Sequence, residues 1–227
     1  DLPSDVSGTA PNILKFVREN GGEDYLTVRL RANWTHDSLN KAIFPDRGSL
    51  IRIKSDLAIP GSEYKFFHVG YKQIQYFSLT KSLTLMLKGD VGVGDNYGGD
   101  IFPPFENYYA GGMNSVRGFE DNTLGPRDLR TDKAIGGQFK TVANAEVIMP
   151  VPFVKDSSAY RLSGFVDAGN VYESISKFES SELRYSAGLS GAWLSPFGLL
   201  RISLAKPLND KDYDDTQTFQ FTFGQQF

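Results

Sequence analysis

The chain contains no cysteine and only two histidines, His36 and His68. The first absence removes disulfides, thiolate metal sites and cysteine nucleophiles together. The second leaves little material for a multi-histidine metal site or a histidine-based triad. No basic run accompanies the net charge of -3, so nothing favours nucleic acid as a partner. Nor does any uncharged apolar run approach the ~20 residues that a membrane-crossing helix requires. A membrane is not thereby excluded. A transmembrane β-strand crosses with about ten residues and shows lipid only every second side chain, so a mean hydropathy of -0.31 suits a barrel as well as a soluble domain. The opening DLPSDVSGTAPN lacks the basic and apolar regions of a secretory signal, so any export signal is expected to have been removed or to lie outside this segment.

Glycine and aromatics are abundant: 23 Gly, 17 Phe and 11 Tyr. With 40% hydrophobic and 22% charged residues, disorder throughout is excluded. The dominant period is two. Leu26, Val28, Leu30, Ala32 and Trp34 share one face of an extended segment, opposite Thr27, Arg29, Arg31, Asn33 and Thr35. Ile51, Ile53, Leu57 and Ile59 oppose Arg52, Lys54 and Asp56, and Leu83, Leu85, Leu87, Val91 and Val93 oppose Thr84, Lys88 and Asp90. The pattern recurs around Ala143 to Val147, Tyr160 to Tyr172, Leu183 to Trp193, Leu200 to Leu204 and the terminal TFQFTFGQQF, giving about nine strands and no convincing helix. Between Tyr64 and Leu79 the phase changes, from Phe67, Val69 and Tyr71 to Ile74 and Tyr76, which predicts a bulge near Lys72. A soluble sandwich or ligand-binding barrel would also alternate. The charged mid-strand positions of the second face fit a wet lumen better, and Trp34, Tyr172 and Trp193 near strand ends fit an interfacial girdle. The expectation is an all-β, antiparallel transmembrane barrel. Short turns at 150–158 and 195–198 alternate with longer connections at 95–137, 173–182 and 207–217, as inner turns and outer loops do, with 37–46 as a longish inner connection and 60–63 as a short outer one against that trend.

Residues 95–137 form a loop too long for a compact domain unless it serves a function, and its aromatics need a surface to pack on. The Gly-rich GDVGVGDNYGG before it has no phosphate-loop Lys-Ser/Thr and is expected to form the exit from strand to loop, while the acidic NDKDYDD matches no calcium-loop register and is expected to be a solvated outer loop. No metal site, cofactor or catalytic set is expected.

The run YYAGGMNSVRGFEDNTLGPRD resembles the BamA-type outer-membrane assembly factors, whose superfamily carries a VRGF or IRGF tip on a loop folded back into the barrel. The likeness continues in order through ANAEVIMP, SGFVDAGNVY, AGLSGAWLSPFG and FQFTFGQQF, from about Tyr25 onward. It implies that Val116, Arg117, Gly118 and Phe119 form the tip, with Glu146 and Asp167 as the arginine's acidic partners in the lumen. Both acids already fall on the charged phase of neighbouring strands. It further implies that Phe219, Phe221, Phe223, Gly224 and Phe227 form a C-terminal strand signal. On this footing the chain is expected to be the C-terminal part of a sixteen-stranded barrel, with the N-terminal barrel strands and the periplasmic POTRA domains absent. The implied function is non-enzymatic insertion of nascent β-barrels into the outer membrane of a Gram-negative bacterium. The implied partners are unfolded outer-membrane β-barrel proteins, outer-membrane lipid and, through the missing periplasmic domains, the BAM accessory lipoproteins, and the segment itself is expected to self-associate through strand edges. A two-partner-secretion pore and a passive porin-like barrel stay open as alternatives.

Overall fold

The computed structural model describes residue 16 and residues 26–98, 102–152 and 158–224. In these segments the strands are β1 (Arg29–Asp37), β2 (Gly48–Ala58), β3 (Phe66–Ser78), β4 (Thr84–Asn96), β5 (Gly118–Phe119), β6 (Phe139–Pro150), β7 (Tyr160–Tyr172), β8 (Arg184–Ser195), β9 (Gly198–Pro207), β10 (Thr216–Gln217) and β11 (Phe219–Phe223). Nine of them make one sheet in the order β1-β2-β3-β4-β6-β7-β8-β9-β11, and β5 pairs with β10. Every neighbouring pair in the large sheet is antiparallel. Among the described residues, the outer edges of β1 and β11 have no strand beside them.

Alternation gives the sheet two different faces. The outward face exposes Leu30 and Trp34 on β1, Val69, Tyr71 and Phe77 on β3, Leu189 and Trp193 on β8, and Phe219, Phe221 and Phe223 on β11. Phe221 is 66% exposed and its neighbours in the row are above half. So continuous an apolar surface is a poor partner for water and a good one for acyl chains. No helix among the described residues is long and apolar enough to cross a membrane, which leaves crossing to the strands.

The inward face carries the core, because the long loop after β4 lies on it. One cluster joins Ala110, Val116, Phe119 and Leu124 of the loop to Val142 on β6 and Val171 on β7. A second gathers Phe16, Ala58, Tyr64, Phe66 and Phe102, and a third Leu50, Ile74, Tyr76 and Met86. Each large apolar side chain so buried contributes roughly 1.5–3 kcal/mol, which is what offsets the ordering entropy of so long a loop.

Four expectations are corrected. There is no bulge at Lys72: β3 pairs residue for residue with β2 and β4 along its length. Ile74 and Tyr76 point inward because an apolar cluster sits at that end of the inner face, so a phase change in hydrophobicity there marks a change of surroundings and not of register. Most of GDVGVGDNYGG is strand and not exit, since β4 runs to Asn96 and the chain leaves it only at Tyr97 and Gly98. Its inward Gly92 and Gly94 leave room for the ring of Tyr108 and for His68 and Phe102. Tyr172 is not an exposed girdle residue. It is buried under Phe139 and Phe178, with ring centroids 5.9 and 5.2 Å away. The loop expected at 95–137 also has local structure, a 3-10 turn at Pro104–Glu106 and the short strand β5.

Candidate functional site: the loop tip on the inner wall

The loop descends onto the middle of the inner face and presents Val116 to Phe119 to strands on both sides. Gly118 sits at φ 90°, in the left-handed region that side chains with a Cβ resist, which lets the backbone reverse at the tip. Val116 and Phe119 are fully buried on either side of that reversal, so the guanidinium between them is carried into the wall.

There Arg117 meets both acids. Its Nε donates to Asp167 Oδ2 at 2.7 Å and its Nη2 to Asp167 Oδ1 at 2.8 Å, while Nη1 donates to Glu146 Oε2 at 2.9 Å. The Arg117 backbone N–H adds a bond to Asp167 Oδ2 at 3.0 Å. The planar fork thus binds one carboxylate two-pronged and a second at its remaining corner, an arrangement that lysine cannot copy. Beneath it the ring of Phe165 lies 3.4 Å from the guanidinium carbon, a cation–π contact. Phe165 has room because Gly188 stands across from it: a Cβ there would lie 2.7 Å from the ring and 2.1 Å from the Leu204 carbonyl oxygen.

The surroundings of the two acids differ. The Asp167 side chain is fully enclosed, whereas Glu146 borders a 270 Å³ cavity shared with Lys88, Asn114 and Arg201. Burial pushes the Arg117 pKa down, but the bonds and charge of Asp167 and then Glu146 outweigh it, and the net direction is upward. The guanidinium therefore stays charged.

Neighbouring tip residues are tied to further strands. Lys88 on β4 donates to the Asn114 carbonyl at 2.5 Å, and Arg201 on β9 donates to Asn114 Oδ1 at 2.7 Å. Asn144 on β6 donates to the Ser115 carbonyl at 2.7 Å. On the far side, Gln220 of β11 accepts from the Gly118 N–H at 3.2 Å and donates to the Phe119 carbonyl at 2.7 Å. The β5–β10 pairing, with Thr216 opposite Phe119 and Gln217 opposite Gly118, extends that junction. The face of Lys88 and Asn144 was legible from alternation, but Arg201 and Gln220 drew no notice, and no sequence signal joins Gln220 to a residue 102 positions away.

The acidic segment is exposed as expected except at Asp214. Asp214 is buried against Arg184, with Nε to Oδ2 at 2.5 Å, and Asp215 accepts from Arg127 of the long loop at 2.6 Å. The other charges of the segment, Asp210, Lys211, Asp212 and Asp215, are exposed. Among the described residues no group of His, Asp or Glu is placed to hold a metal ion.

Of the expected C-terminal signal, Phe219, Phe221 and Phe223 all point outward. Gly224 follows β11 at φ 73°, and its N–H donates to the Leu199 carbonyl at 2.9 Å. Phe227 lies outside the described residues.

The Omp85 superfamily domain matches residues 4–227. The chain is 37% identical over 222 residues to the outer membrane protein assembly factor BamA of Neisseria meningitidis serogroup B, a match covering 86% of this chain and 28% of that protein. It is 29% identical over 226 residues to the protein of the same name from Neorickettsia risticii, covering 96% and 29%. The crystal structure of BamA from Haemophilus ducreyi lacking POTRA domains 1-3 superposes with a TM-score of 0.86 at 28% identity, over 94% of this chain and 47% of that one. The chain therefore spans less than a third of the length of these two curated relatives.

Proposed function

The chain belongs to the Omp85 superfamily, and we propose that it supplies the C-terminal wall of a larger barrel that assembles other β-barrels in the outer membrane. Its location is the outer membrane of a Gram-negative bacterium. The observation that carries the functional reading is the pairing of opposites at one end of the sheet. Among the described residues β11 has a strand on one side only, with five residues and three outward phenylalanines, while its inner face is fastened to the loop tip. A strand edge with unspent N–H and C=O groups is a template for strand addition, and unfolded β-barrel chains are made of segments able to add to it. In this reading the Arg117 junction holds the loop against the inner wall, so that the barrel can work at its edge without losing its core. Outer-membrane lipid meets the outward rows, and accessory lipoproteins act through periplasmic domains of the full-length protein. Assembly ranks above a secretion pore or a passive porin because bacterial relatives are named as assembly factors.

Reconstituting the full-length protein in liposomes and adding a urea-unfolded barrel substrate tests this. The expected result is insertion many times faster than into protein-free liposomes; steady ion conductance with no acceleration would instead establish the porin reading.

The terminal signal has its own test. A full-length protein lacking Phe227 is expected to assemble poorly in the outer membrane of growing cells while keeping its strand content when refolded in detergent. Equal outer-membrane levels with and without Phe227 would remove it from that role.

A further inference from the structure

We propose that Gln220 is a positioning residue that couples the loop tip to the last strand, so that release of the tip from the wall and loosening of β11 occur together. The inference deepens the assembly reading and rests on it only for its functional consequence.

Three observations converge. Gln220 is 4% exposed, the second residue of a five-residue strand whose other inward position is Thr222. Its amide uses both ends on consecutive residues of the tip, accepting from the Gly118 N–H and donating to the Phe119 carbonyl. A primary amide is the group for this task, because it carries an acceptor and a donor side by side, whereas a carboxylate or an alkyl chain offers at most one of them. On the opposite side of the same tip, the residue preceding Gly118 is Arg117, gripped by β6 and β7. Two adjacent residues of the loop thus bridge the middle of the sheet to its last strand.

The geometry makes the two attachments interdependent. Arg117 cannot withdraw along the loop without carrying Gly118 away from Gln220. Equally, β11 cannot swing away from the inner wall without breaking both Gln220 bonds or pulling the tip with it. Among the described residues β11 is otherwise paired with β9, through five residue pairs, so the Gln220 bonds add a second attachment to that ladder. Substrate pairing at the free edge of β11 would then be felt at Arg117, on the far side of the tip.

Site-resolved hydrogen exchange on the full-length protein in lipid nanodiscs tests the coupling without any substrate. In Gln220→Leu, amides of β11 and of Val116 to Phe119 are expected to exchange about tenfold to thirtyfold faster, as loss of two buried hydrogen bonds implies, while β6 and β7 stay protected. Arg117→Lys is expected to speed exchange in β11 although Arg117 does not touch that strand. The double variant is expected to exchange scarcely faster in β11 than the faster single one. Gln220→Glu, which keeps the acceptor and loses the donor, is expected to fall between wild type and Gln220→Leu, and it stands in should the leucine variant fail to fold. Independent, multiplicative effects of Arg117→Lys and Gln220→Leu on β11 would overturn the coupling, as would a tip that stays protected when Gln220 is changed. An insertion assay on the same variants separates the two levels: a wild-type protein inactive in insertion refutes the assembly reading and leaves the exchange result standing.

Discussion

Replacing Arg117 with methionine is expected to destabilise the folded barrel by about 3–5 kcal/mol, the cost of leaving buried carboxylates without their cation. Asp167 bears most of it, since its side chain has no solvent contact, whereas Glu146 can turn toward the adjoining cavity. The single changes are therefore expected to rank with Asp167→Ala well above Glu146→Ala. Arg117→Lys is expected to recover only part of the loss, because one ammonium cannot meet both oxygens of Asp167 and Glu146 with the geometry of the fork. Urea unfolding of the full-length protein in lipid vesicles checks this through the transition midpoint. A double-mutant cycle between Arg117 and Asp167 should give a large coupling energy, and additivity would show that the observed contacts do not contribute as a pair.

The second large effect is expected outside the Arg117 junction, in a stretch whose sequence suggests nothing but hydration. Asp214→Ala removes the buried carboxylate partner of Arg184, leaving it the more distant and exposed Glu182, and is expected to cost about 3 kcal/mol. Its consequence is structural as well as energetic. The segment that Asp214 anchors continues into Asp215, which holds Arg127 and accepts from the Glu120 N–H, and then into β10 against β5. Freed from Arg184, residues 208–215 should become the preferred cleavage site for an added protease. Lys211→Met provides the contrast, because its pair with Glu182 is exposed and screened by solvent. If both variants are cleaved no faster than wild type, the buried pair does not secure the outer loop.

Most of the sheet was legible because a period of two reports which side chains share a face, and nine strands follow from nine alternating stretches. The positions of Glu146 and Asp167 on the polar phase followed in the same way. Periodicity does not report what covers a face. Ile74 and Tyr76 looked like a slipped register because the inner wall was taken as uniformly wet, when one end of it is apolar. Tyr172 looked exposed because the ring of Phe178, from the following loop, is invisible to a strand pattern. Asp214 looked solvated because its neighbours are acidic, and its burial depends on Arg184, thirty residues earlier. Gln220 was hidden between phenylalanines that drew attention to the opposite face.

That last residue bears on how the final strand finds its place. Phe219, Phe221 and Phe223 are chemically identical and equally spaced, so a slide of two residues along β9 would return phenylalanine to two of the three lipid-side positions. The outer row is therefore nearly degenerate and carries little information about alignment. The inner row is not, because Gln220 would be replaced by Thr222 or Thr218, neither of which can reach both Gly118 and Phe119 with an amide. The address of the strand is written on the side that lipid never sees.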